Sequence, residues 1–549
     1  MPSAHEKLVT EYARRVALAI QERANFNAHW DNVSDVTRVA AASFTATYTD
    51  PGKRPDPELY DGSGVYYNQL LAAGFYGLLT NPSQRWFNLT TTNPQLRDDR
   101  DVLIWLKDVS KIMFTEMQRP QSGFQTALHE AYLDYGSYGN CVLFVTEQVD
   151  LSALQYTALP MQECFFFEGS SGYVESLMRR YTRNVAQIVE RFGHANCAKE
   201  VQDAFDAGNY NERVEVLHVI EPNRYAYDSE PLVDKPYVSL YIDLTHKTLM
   251  RAAGYEEKPF MGARFYKNSF EIYGRGPGST ALADLQMLQA IKKTTLRGAQ
   301  KIVDPPILFP DDGTDAQLKT IPGGITYYRP GSSQDQIRPL LTGAQPQWGE
   351  KIAEDIRSRV RDMFFVNQLQ LNEGPQMTAT EVLQRTEEKT RLLGPVIGRA
   401  MTELLSPCLT RTFGLLLRAG ALPQPPAQLM MAGPKLGIAY TSPFAKAIDQ
   451  EEANGLLRVT QLIAPFVQAD PTIMDNFDGD QMVKHFTEMY ALDPRLIRDP
   501  QAVAKMRAQR AQQQQMASMT EQAGNGAAAL SQVTSGMVNL QKLQGGRVQ

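Results

Sequence analysis

The sequence has few cysteines and histidines, and their spacing does not build a metal site. The four cysteines lie far apart without a C-x-x-C pair, and the seven histidines include no H-E-x-x-H. Zinc sites and metal-dependent hydrolases need such closely spaced ligands. We therefore predict plain core thiols in a reducing compartment, no metal and no cofactor.

Long apolar runs and a phosphate-binding loop are also missing. No stretch of about 18 apolar residues occurs, and the first residues mix Glu, Lys and Arg in a helical pattern. We expect neither a membrane span nor a secretory signal. No G-x-x-x-x-G-K-[ST] occurs, so the chain by itself is not expected to be a P-loop motor.

The composition that remains is typical of a large soluble chain with several modules. Of the 549 residues, 43% are hydrophobic and 21% are charged, and this length allows more than one core. The formal net charge of -6 argues against a protein that coats nucleic acid with a dense basic surface. It does not argue against one that lets nucleic acid slide past.

Apolar periodicity predicts an order of helices and strands. Helices are predicted at 5–22, 30–42, 65–79, 98–118, 122–135 and 184–192. Strands are predicted at 141–145, 155–159, 164–168, 173–181, 214–221, 237–243 and 265–273. Further on, we expect a long helix at 378–420 that is kinked at Gly394-Pro395, helices between 448 and 516, and a disordered end.

The chain is organised around residues 274–382. A glycine-proline turn leads into a helix that stops at Asp304-Pro305-Pro306, because proline lacks the amide donor a helix needs. Short apolar runs at 307–309 and 325–328 lie between Gly/Pro turns and predict strands. A second helix then carries one apolar stripe, Ile352, Ile356, Val360, Met363 and Phe364. We expect an antiparallel helix pair with a β tip, which buries its stripes against copies of itself around a central hole.

Two further segments complete this unit. A polar stretch at 367–377 is either a flexible connector or a loop pressed against something to which it must not stick. Thr378 and Glu381 then form a T-x-x-E pattern, which predicts a capping box at the start of the third helix.

The glycine turn has the context of a dinucleotide loop without its details. Gly274-x-Gly276-x-Gly278 follows a strand-like run and precedes a helix. However, position 279 is serine where the third glycine is expected, and Pro277 has no amide hydrogen to face a phosphate. No acidic residue lies about 20 positions further on, where the ribose would be bound. We predict a tight turn into a helix. A nucleotide-dependent factor is kept as an enzymatic alternative.

Charged residues line both helices of the central unit. The first helix carries Lys292, Lys293, Arg297 and Lys301. These cations form a solvated face, a row beside a phosphate backbone, or a row facing acidic groups of a neighbouring subunit. The second helix carries Glu350, Glu354 and Asp355 before Arg357, Arg359 and Arg361. Asp355 and Arg359 are four apart, so we predict an ion pair between them.

Several short motifs occur in a distinctive order. They are Tyr60-Asp61-Gly62-Ser63, Leu70-Leu71-Ala72-Ala73-Gly74, Leu79-Thr80-Asn81-Pro82-Ser83, Trp86-Phe87, Tyr273-Gly274-Arg275-Gly276-Pro277, Asp304-Pro305-Pro306 and Met377-Thr378-Ala379-Thr380-Glu381-Val382. With these motifs, most of the chain up to residue 420 resembles the head-to-tail connector, or portal, family of T7-like short-tailed bacteriophages. The C-terminal region gives little to match.

The resemblance implies an α+β, mainly helical portal fold assembled as a dodecameric ring with wing, stem, clip and crown regions. The implied regions are 1–279 (N-terminal wing, with helices and a β-rich part), 280–303 (first stem helix), 304–346 (clip), 347–366 (second stem helix), 367–377 (tunnel loop), 378–420 (kinked wing helix), 421–511 (helical crown) and 512–549 (Gln/Ala/Gly-rich tail).

The resemblance also implies roles for individual residues. The DNA-channel candidates are Lys292, Lys293, Arg297, Lys301, Glu373 and Gln376. The tunnel-loop residues are Gln368, Gln370, Asn372, Gly374 and Pro375. The clip turns are Pro305, Pro306, Asp312, Gly313, Gly323 and Gly324.

A protein of this family would be a conduit for double-stranded DNA during packaging and ejection, without catalysis of its own. Its partners would be further copies of itself, the DNA, the terminase large subunit, a tail adaptor, and the major capsid and scaffolding proteins. It would sit at the head-tail vertex of the virion, in the host cytoplasm during assembly, and on no membrane. A tail adaptor or tube protein is the alternative.

Helix dimensions allow a check of the conduit. Twelve helices packed about 10 Å apart in a ring leave a bore of about 28 Å after a helix radius is subtracted. A duplex roughly 20 Å across would pass through this bore.

Overall fold

The structure is a computed structural model in which helices and strands are mixed. It describes residues 4–39, 43–45, 59–97, 99–147, 154–223, 234–303, 307–308, 338–339, 345–369, 393–432, 436–440, 462, 479–482, 498 and 502–516. Contacts divide the chain into two compact units. The smaller takes in Thr90–Asp108, Pro425–Lys435 and Glu452–Gln549, and the larger takes in the rest. The side-chain contacts described below all lie within the larger unit.

Helices dominate the first part of the chain. They are α1 (Ala4–Glu22), α2 (Ala24–Thr37), α3 (Ser63–Leu79), α4 (Arg100–Gln118) and α5 (Phe124–Tyr138). The structure confirms all five predicted helices within a few residues, except that the second begins and ends earlier than predicted. Arg23 stands between α1 and α2, where its buried guanidinium donates to the carbonyl oxygens of Met161, Gln162 and Cys164. This residue fixes the corner between the two helices.

Two antiparallel sheets follow the helices. The first has the order β3-β2-β9, from β2 (Asn140–Glu147), β3 (Leu154–Leu159) and β9 (Phe260–Arg264). The second is a meander of β4 (Cys164–Glu168), β5 (Val174–Asn184), β6 (Arg213–Pro222), β7 (Tyr237–Asp243) and β8 (Thr248–Tyr255). Between β5 and β6 come α6 (Val185–Phe192) and α7 (Lys199–Asp206). Amphipathic helices cover both faces of the meander, because α1 packs in one core cluster and α6 and α7 pack in another.

The predicted strand at 265–273 is wrong. Phe265 and Tyr273 are buried, but the chain between them turns, with Glu271 N donating to Asn268 O at 3.1 Å. The strands β8 and β9 precede this segment and were not predicted. Gly262 interrupts the apolar pattern of β9 because the Phe166 ring lies where a side chain would stand, 3.2 Å from an added Cβ.

The remaining helices and strands include those of the central unit. They are α8 (Pro277–Thr280), α9 (Leu282–Val303), β10 (Ile307–Leu308), β11 (Arg338–Pro339), α10 (Pro346–Met363) and α11 (Val366–Leu369). Helix α12 covers 393–400 and continues through a π-helical turn, Met401–Leu405, into α13 (Ser406–Arg418). Next come α14 (Ala427–Ala432), β12 (Leu436–Tyr440), which pairs with β1 (Phe87–Thr91), and a helix α15 at 502–516.

Some predicted features lie outside the described residues. The Thr378–Glu381 capping box, the helix up to residue 392, most of the helices between 448 and 499, and the tail beyond residue 516 are among them. The described part of α12 starts at residue 393, directly before Gly394-Pro395, so the predicted kink stays a prediction. The irregularity that is described in this long helix is the π-helical turn.

A buried histidine in the second sheet gives a pH prediction. His218 stacks on Tyr241 at 3.9 Å between ring centroids and contacts Ser239 Oγ through Nε2 at 2.9 Å. Burial, followed by the charges of Arg179 and Arg191, lowers the pKa of His218 well below its ordinary value. The folded state therefore keeps this ring neutral where the unfolded chain protonates, so stability falls as pH drops below about 6.5.

We expect the His218→Phe variant to lose this dependence. Relative to the variant, the wild-type sheet should lose up to about 1.4 kcal/mol per pH unit below the ordinary histidine pKa. The measurement is amide hydrogen exchange of β6 and β7, corrected for the intrinsic pH dependence of exchange. Equal slopes for the two proteins would contradict the prediction.

Candidate functional site

Helices α9 and α10 form the antiparallel pair that the sequence predicts. Three contacts fix their direction. Lys292 pairs with Glu350, and Asp284 pairs with Arg359 at 3.1 Å. Gly349 lies against Thr295, whose Oγ1 would be 2.2 Å from a Cβ added to the glycine. Sequence positions rise along one helix as they fall along the other.

The segment between these helices begins and ends with a short strand pair. Ile307 pairs with Pro339 and Leu308 with Arg338, in antiparallel register. The apolar run at 307–309 was predicted as a strand, and its first two residues confirm this. The second predicted strand, 325–328, and the turn residues Pro305, Pro306, Asp312, Gly313, Gly323 and Gly324 lie outside the described residues.

The Tyr60-Asp61-Gly62-Ser63 motif fastens the helix pair to the rest of the unit. The side chain of Gln289 on α9 accepts from the amides of Tyr60 and Asp61, at 2.8 and 2.9 Å. It also donates to Asp61 O at 2.7 Å. One glutamine thereby satisfies three backbone groups of a segment that has no regular structure of its own.

Arg357 on α10 holds the same motif through its side chain. Its Nη2 lies 2.8 Å from Asp61 Oδ2, and its Nη1 lies 3.1 Å from Glu350 and 3.0 Å from Glu354. Burial opposes ionisation of Asp61, but hydrogen bonds from Ser63 and Arg357 outweigh it and lower the pKa of the carboxyl. Burial likewise opposes the charge of Arg357, yet its three carboxylate partners raise the pKa of the guanidinium.

The ion pair between Asp61 and Arg357 attaches α10 to the Tyr60–Ser63 segment, and this attachment can be tested. In Asp61→Asn, Arg357 would lose its most buried partner, at a cost of about 1–3 kcal/mol. We expect amide exchange of 353–360 to rise about tenfold or more, because local opening of α10 becomes easier. Glu354→Gln is the matched control, since that carboxylate is mostly exposed and should contribute under about 1 kcal/mol. Similar exchange in both variants would refute a special role for Asp61.

The four predicted cations of α9 differ in their surroundings. Lys292 is paired with Glu350, and the Lys293 ammonium lies 5.3 Å from the centre of the Tyr60 ring. Arg297 and Lys301 are exposed. Within the part of the chain that the structure describes, these two have no ion pair. The four residues therefore do not form one uniform face.

Charge is partly satisfied within α10, as predicted, because Arg357 pairs with Glu350 and Glu354, but the specific pair predicted between Asp355 and Arg359 is wrong. Arg359 Nη2 instead lies 3.1 Å from Asp284 Oδ1 on the neighbouring helix. A contact between helices fixes the arginine here, in place of the contact along one helix that the spacing indicated. Asp355 stays exposed.

Most of the apolar stripe of α10 is buried, and Ile352 is its exposed member. Ile356, Val360 and Phe364 are buried within the chain itself, together with Leu285 and Leu288 of α9. The expectation that copies of the chain cover the whole stripe is therefore wrong for the buried part. At the other end of the pair the large apolar side chains are exposed. They are Leu296, Ile302, Val303, Trp348 and Ile352, and we call them the outer apolar strip.

A strained residue separates α10 from the predicted loop. Phe365 has φ 56°, in the left-handed region that residues other than glycine seldom adopt. After it, α11 docks on α3, where Leu369 Cδ1 lies 2.9 Å from the position of a Cβ on Gly74. Gln368 lies partly buried on α11, with an Oε1 that has no partner among the described residues. The other predicted channel and loop residues, Gln370, Asn372, Glu373, Gly374, Pro375 and Gln376, lie outside that set.

The glycine turn at 274–278 is a crossing point of two backbones. A Cβ on Gly276 would lie 2.7 Å from Gly136 O and from Gly139 N, and one on Gly278 would lie 2.6 Å from Ser137 O. The Asn140 side chain ties the crossing together, because Oδ1 accepts from Gly274 N at 2.7 Å and Nδ2 donates to Gly274 O at 2.9 Å. The glycines leave room for the chain itself, so this geometry favours the predicted tight turn over a phosphate cradle.

A buried ion pair anchors the long helix that follows the loop. Glu403 in the π-helical turn accepts from Arg264 Nη2 at 2.9 Å, from its Nε at 3.2 Å and from its backbone N at 3.0 Å. The remaining donors of Arg264 reach the carbonyl oxygens of Gly172 and Ile272. Both charges are buried and paired, as burial requires, and Arg264 Nη1 also lies 3.6 Å from Glu168 Oε1. Sequence reasoning missed this pair, because no pattern joins residues so far apart.

Two negative findings hold within the described ranges. No group of three or more His, Cys, Asp or Glu side chains is placed to bind a metal ion. No helix there has both the length and the apolar character needed to cross a bilayer.

Comparison with known proteins gives a consistent result. A family model described as bacteriophage head to tail connecting protein matches residues 9–497. The chain is 31% identical to a probable portal protein of Bordetella phage BPP-1 and 29% identical to the portal protein of Salmonella phage epsilon15, in each case over 94% of both chains. Among solved structures, a chain of the virion of a native gene transfer agent particle matches 75% of this chain and 86% of its own, with 11% identity and a TM-score of 0.33. A TM-score this low does not establish a common fold.

Proposed function

The chain belongs to the family of bacteriophage head-to-tail connecting proteins, and we propose that it works as a portal, a ring-shaped conduit for double-stranded DNA at one vertex of the capsid. The relatives that bear the name portal protein match it over nearly their whole length. The activity follows from shape and assembly, since a conduit needs a bore and docking faces. It does not need a catalytic group.

The exposure of the outer apolar strip is the main structural support for assembly into a ring. Trp348 is 63% exposed and Val303 is 86% exposed. Val303 is the last residue of α9 and Trp348 lies near the start of α10. Exposed aromatic and aliphatic side chains in one region are typical of a surface that a partner covers. Side-by-side packing of such helix pairs around an axis would cover the strip and leave a central hole.

The channel residues belong to this proposal. Arg297 and Lys301 are the exposed cations of α9 in the described part of the chain, so they are the candidates to meet DNA phosphates or acidic groups of the next subunit. Lys292 is already neutralised by Glu350, which leaves few fixed charges to hold a duplex. A sparsely cationic wall would let DNA move, because binding strength grows with the number of phosphates that are neutralised.

The regional assignments are also proposals. Helices α9 and α10 would be the stem, the segment between them the clip, the segment after α11 the tunnel loop, and α12 with α13 the kinked wing helix. The clip would dock the terminase large subunit and then the tail adaptor, while the remaining faces would meet the capsid and scaffolding proteins. Assembly would take place in the host cytoplasm, before the ring is built into the virion.

The mass of the assembled particle tests the ring. We expect a dodecamer of the 61.5 kDa chain, about 740 kDa, in sedimentation velocity and flanged rings in negative-stain electron micrographs. Trp348→Ser with Ile352→Ser should reduce the ring fraction at least about tenfold at the same protein concentration, since each interface would lose two large apolar side chains.

Leu18→Ser is the matched control for this test. Leu18 is exposed to a similar degree on α1, and its replacement should leave the ring fraction unchanged. A wild-type chain that stays monomeric under assembly conditions would overturn the ring. Tubes in place of flanged rings would support the alternative of a tail tube.

A further inference from the structure

A recess on the second sheet has a composition that the conduit does not explain. Its volume is about 230 Å³, and it lies where β5, β6 and α6 meet. The floor is made of buried apolar and aromatic side chains, Tyr181, Ile188, Phe192 and Val216. Concave sites with an apolar floor and a few polar groups are typical of ligand-binding sites.

Two arginines and one glutamine complete the lining. Arg183 donates through Nη1 to Thr182 O at 3.0 Å, and its guanidinium lies 4.9 Å from the centre of the Tyr181 ring. Arg191 donates through Nη2 to Tyr241 Oη at 3.1 Å and lies 5.2 Å from the centre of that ring. Gln187 contributes an exposed amide. No acidic residue is among the described residues that line the recess.

The two guanidinium groups lack carboxylate partners, in contrast with their neighbours. On the same strand, Arg179 pairs with Glu163 and Arg180 pairs with Glu215. Arg183 and Arg191 make no ion pair with any described residue. A chain with a net charge of -6 has carboxylates in excess, so two uncompensated arginines at one recess are unusual.

Each arginine uses one N–H group on a neighbouring oxygen, and its contact with an aromatic ring face uses no further N–H group. A guanidinium has five N–H groups, and stacking on a ring face leaves the edge groups free to bind a carboxylate in a bidentate way. The charge is also felt inside the sheet, where the positive charge of Arg191 adds to burial in lowering the pKa of His218. The recess is therefore positively charged at its mouth and apolar at its base.

We propose that this recess binds an acidic peptide segment of a partner protein. One apolar side chain of the peptide would rest on Tyr181 and Phe192, and a neighbouring carboxylate would bind Arg183 and Arg191. Nucleic acid fits the recess less well, because the floor is apolar apart from the Tyr181 hydroxyl and duplex binding relies on a row of many cations. The proposal does not depend on the ring, since its residues belong to the sheet and not to the helix pair.

Peptide binding to the full-length protein tests the proposal. The probes are a short fluorescein-labelled peptide with alternating glutamate and leucine, and a matched peptide with glutamine in place of glutamate. We expect the glutamate peptide to bind, to weaken as salt is added, and to lose affinity at least about tenfold in the Arg183→Gln, Arg191→Gln double variant. The glutamine peptide should bind at least about tenfold more weakly to the wild type.

Arg180→Gln is the matched control variant, because this arginine lies on the same strand and already has a carboxylate partner. It should bind the glutamate peptide as the wild type does. Equal binding of the two peptides, or equal affinity of the wild type and the double variant, would overturn the proposal. Displacement of the peptide by duplex DNA, with DNA binding lost in the double variant, would overturn it in favour of nucleic acid.

Two further measurements distinguish failure of the recess proposal from unfolding of the variant and from failure of the proposed portal function. Amide exchange of β5 and α6 in the double variant checks that the sheet is still folded. Ring mass, measured by sedimentation on the same samples, reports on the proposed portal function independently of the peptide. A ring that assembles and binds no glutamate peptide would refute the recess alone.

Discussion

Replacing Gly276 with alanine is expected to be among the most damaging single changes in this protein. The added methyl group would lie 2.7 Å from Gly136 O and Gly139 N, both backbone atoms that cannot rotate away. Gly276 has φ -99°, so the cost comes from the close approach and not from an unfavourable backbone angle. We expect a loss of about 3 kcal/mol or more, seen as a fall in soluble yield and in amide protection of α5 and β2.

Gly77→Ala is the control for this prediction. Gly77 lies within α3, and nothing stands within 4 Å of an added Cβ. Alanine there should raise helix stability by about 0.5–1 kcal/mol, because glycine is the weaker helix former. A Gly276 variant that behaves like the Gly77 variant would mean that the two backbones do not cross as closely as described.

Replacing Glu403 with glutamine is expected to have a comparable effect for a different reason. The variant would keep the shape of the side chain but remove the nearest counter-charge of the buried Arg264 guanidinium, leaving only the more distant Glu168 at 3.6 Å. Breaking a buried ion pair from one side costs about 3–5 kcal/mol. The loss should appear as increased amide exchange of 401–413 and of β9, since this pair joins the π-helical turn to that strand.

The double variant Arg264→Met, Glu403→Leu separates charge from packing. If desolvated charge is the cause, the double variant should recover most of the stability that Glu403→Gln loses, because neither charge is then buried alone. Removing Glu256 from its exposed pair with Lys235 should change stability by less than about 1 kcal/mol. A double variant as unstable as the single one would show that packing at this site matters more than charge.

The sequence predicted most helices and strands because their signals are local. The stripe from Ile352 to Phe364 and the spacing in α1 predict helices at nearly the right bounds. The strand assigned to 265–273 failed because burial of Phe265 and Tyr273 produces the same apolar signal as a strand. The pair assigned to Asp355 and Arg359 failed because a partner on another helix competes with a partner one turn away.

The functional region was predicted only in outline. The order of short motifs was enough to indicate the family, and the match over residues 9–497 confirms it. What those motifs do was not visible in the sequence. Asp61 fastens a helix, Gly74 receives Leu369, and Gly276 lets two backbones cross.

The sequence by itself determined the antiparallel helix pair, the turn at 274–278 and the absence of a local metal or nucleotide motif, because each depends on neighbouring residues. Only the tertiary structure decided which charges remain exposed. Lys292 pairs with Glu350, while no ion pair is made to any described residue by Arg297, Lys301, Arg183 or Arg191. The reason is that an ion pair depends on distance in space, and residues separated by tens or hundreds of positions come together only when the chain folds.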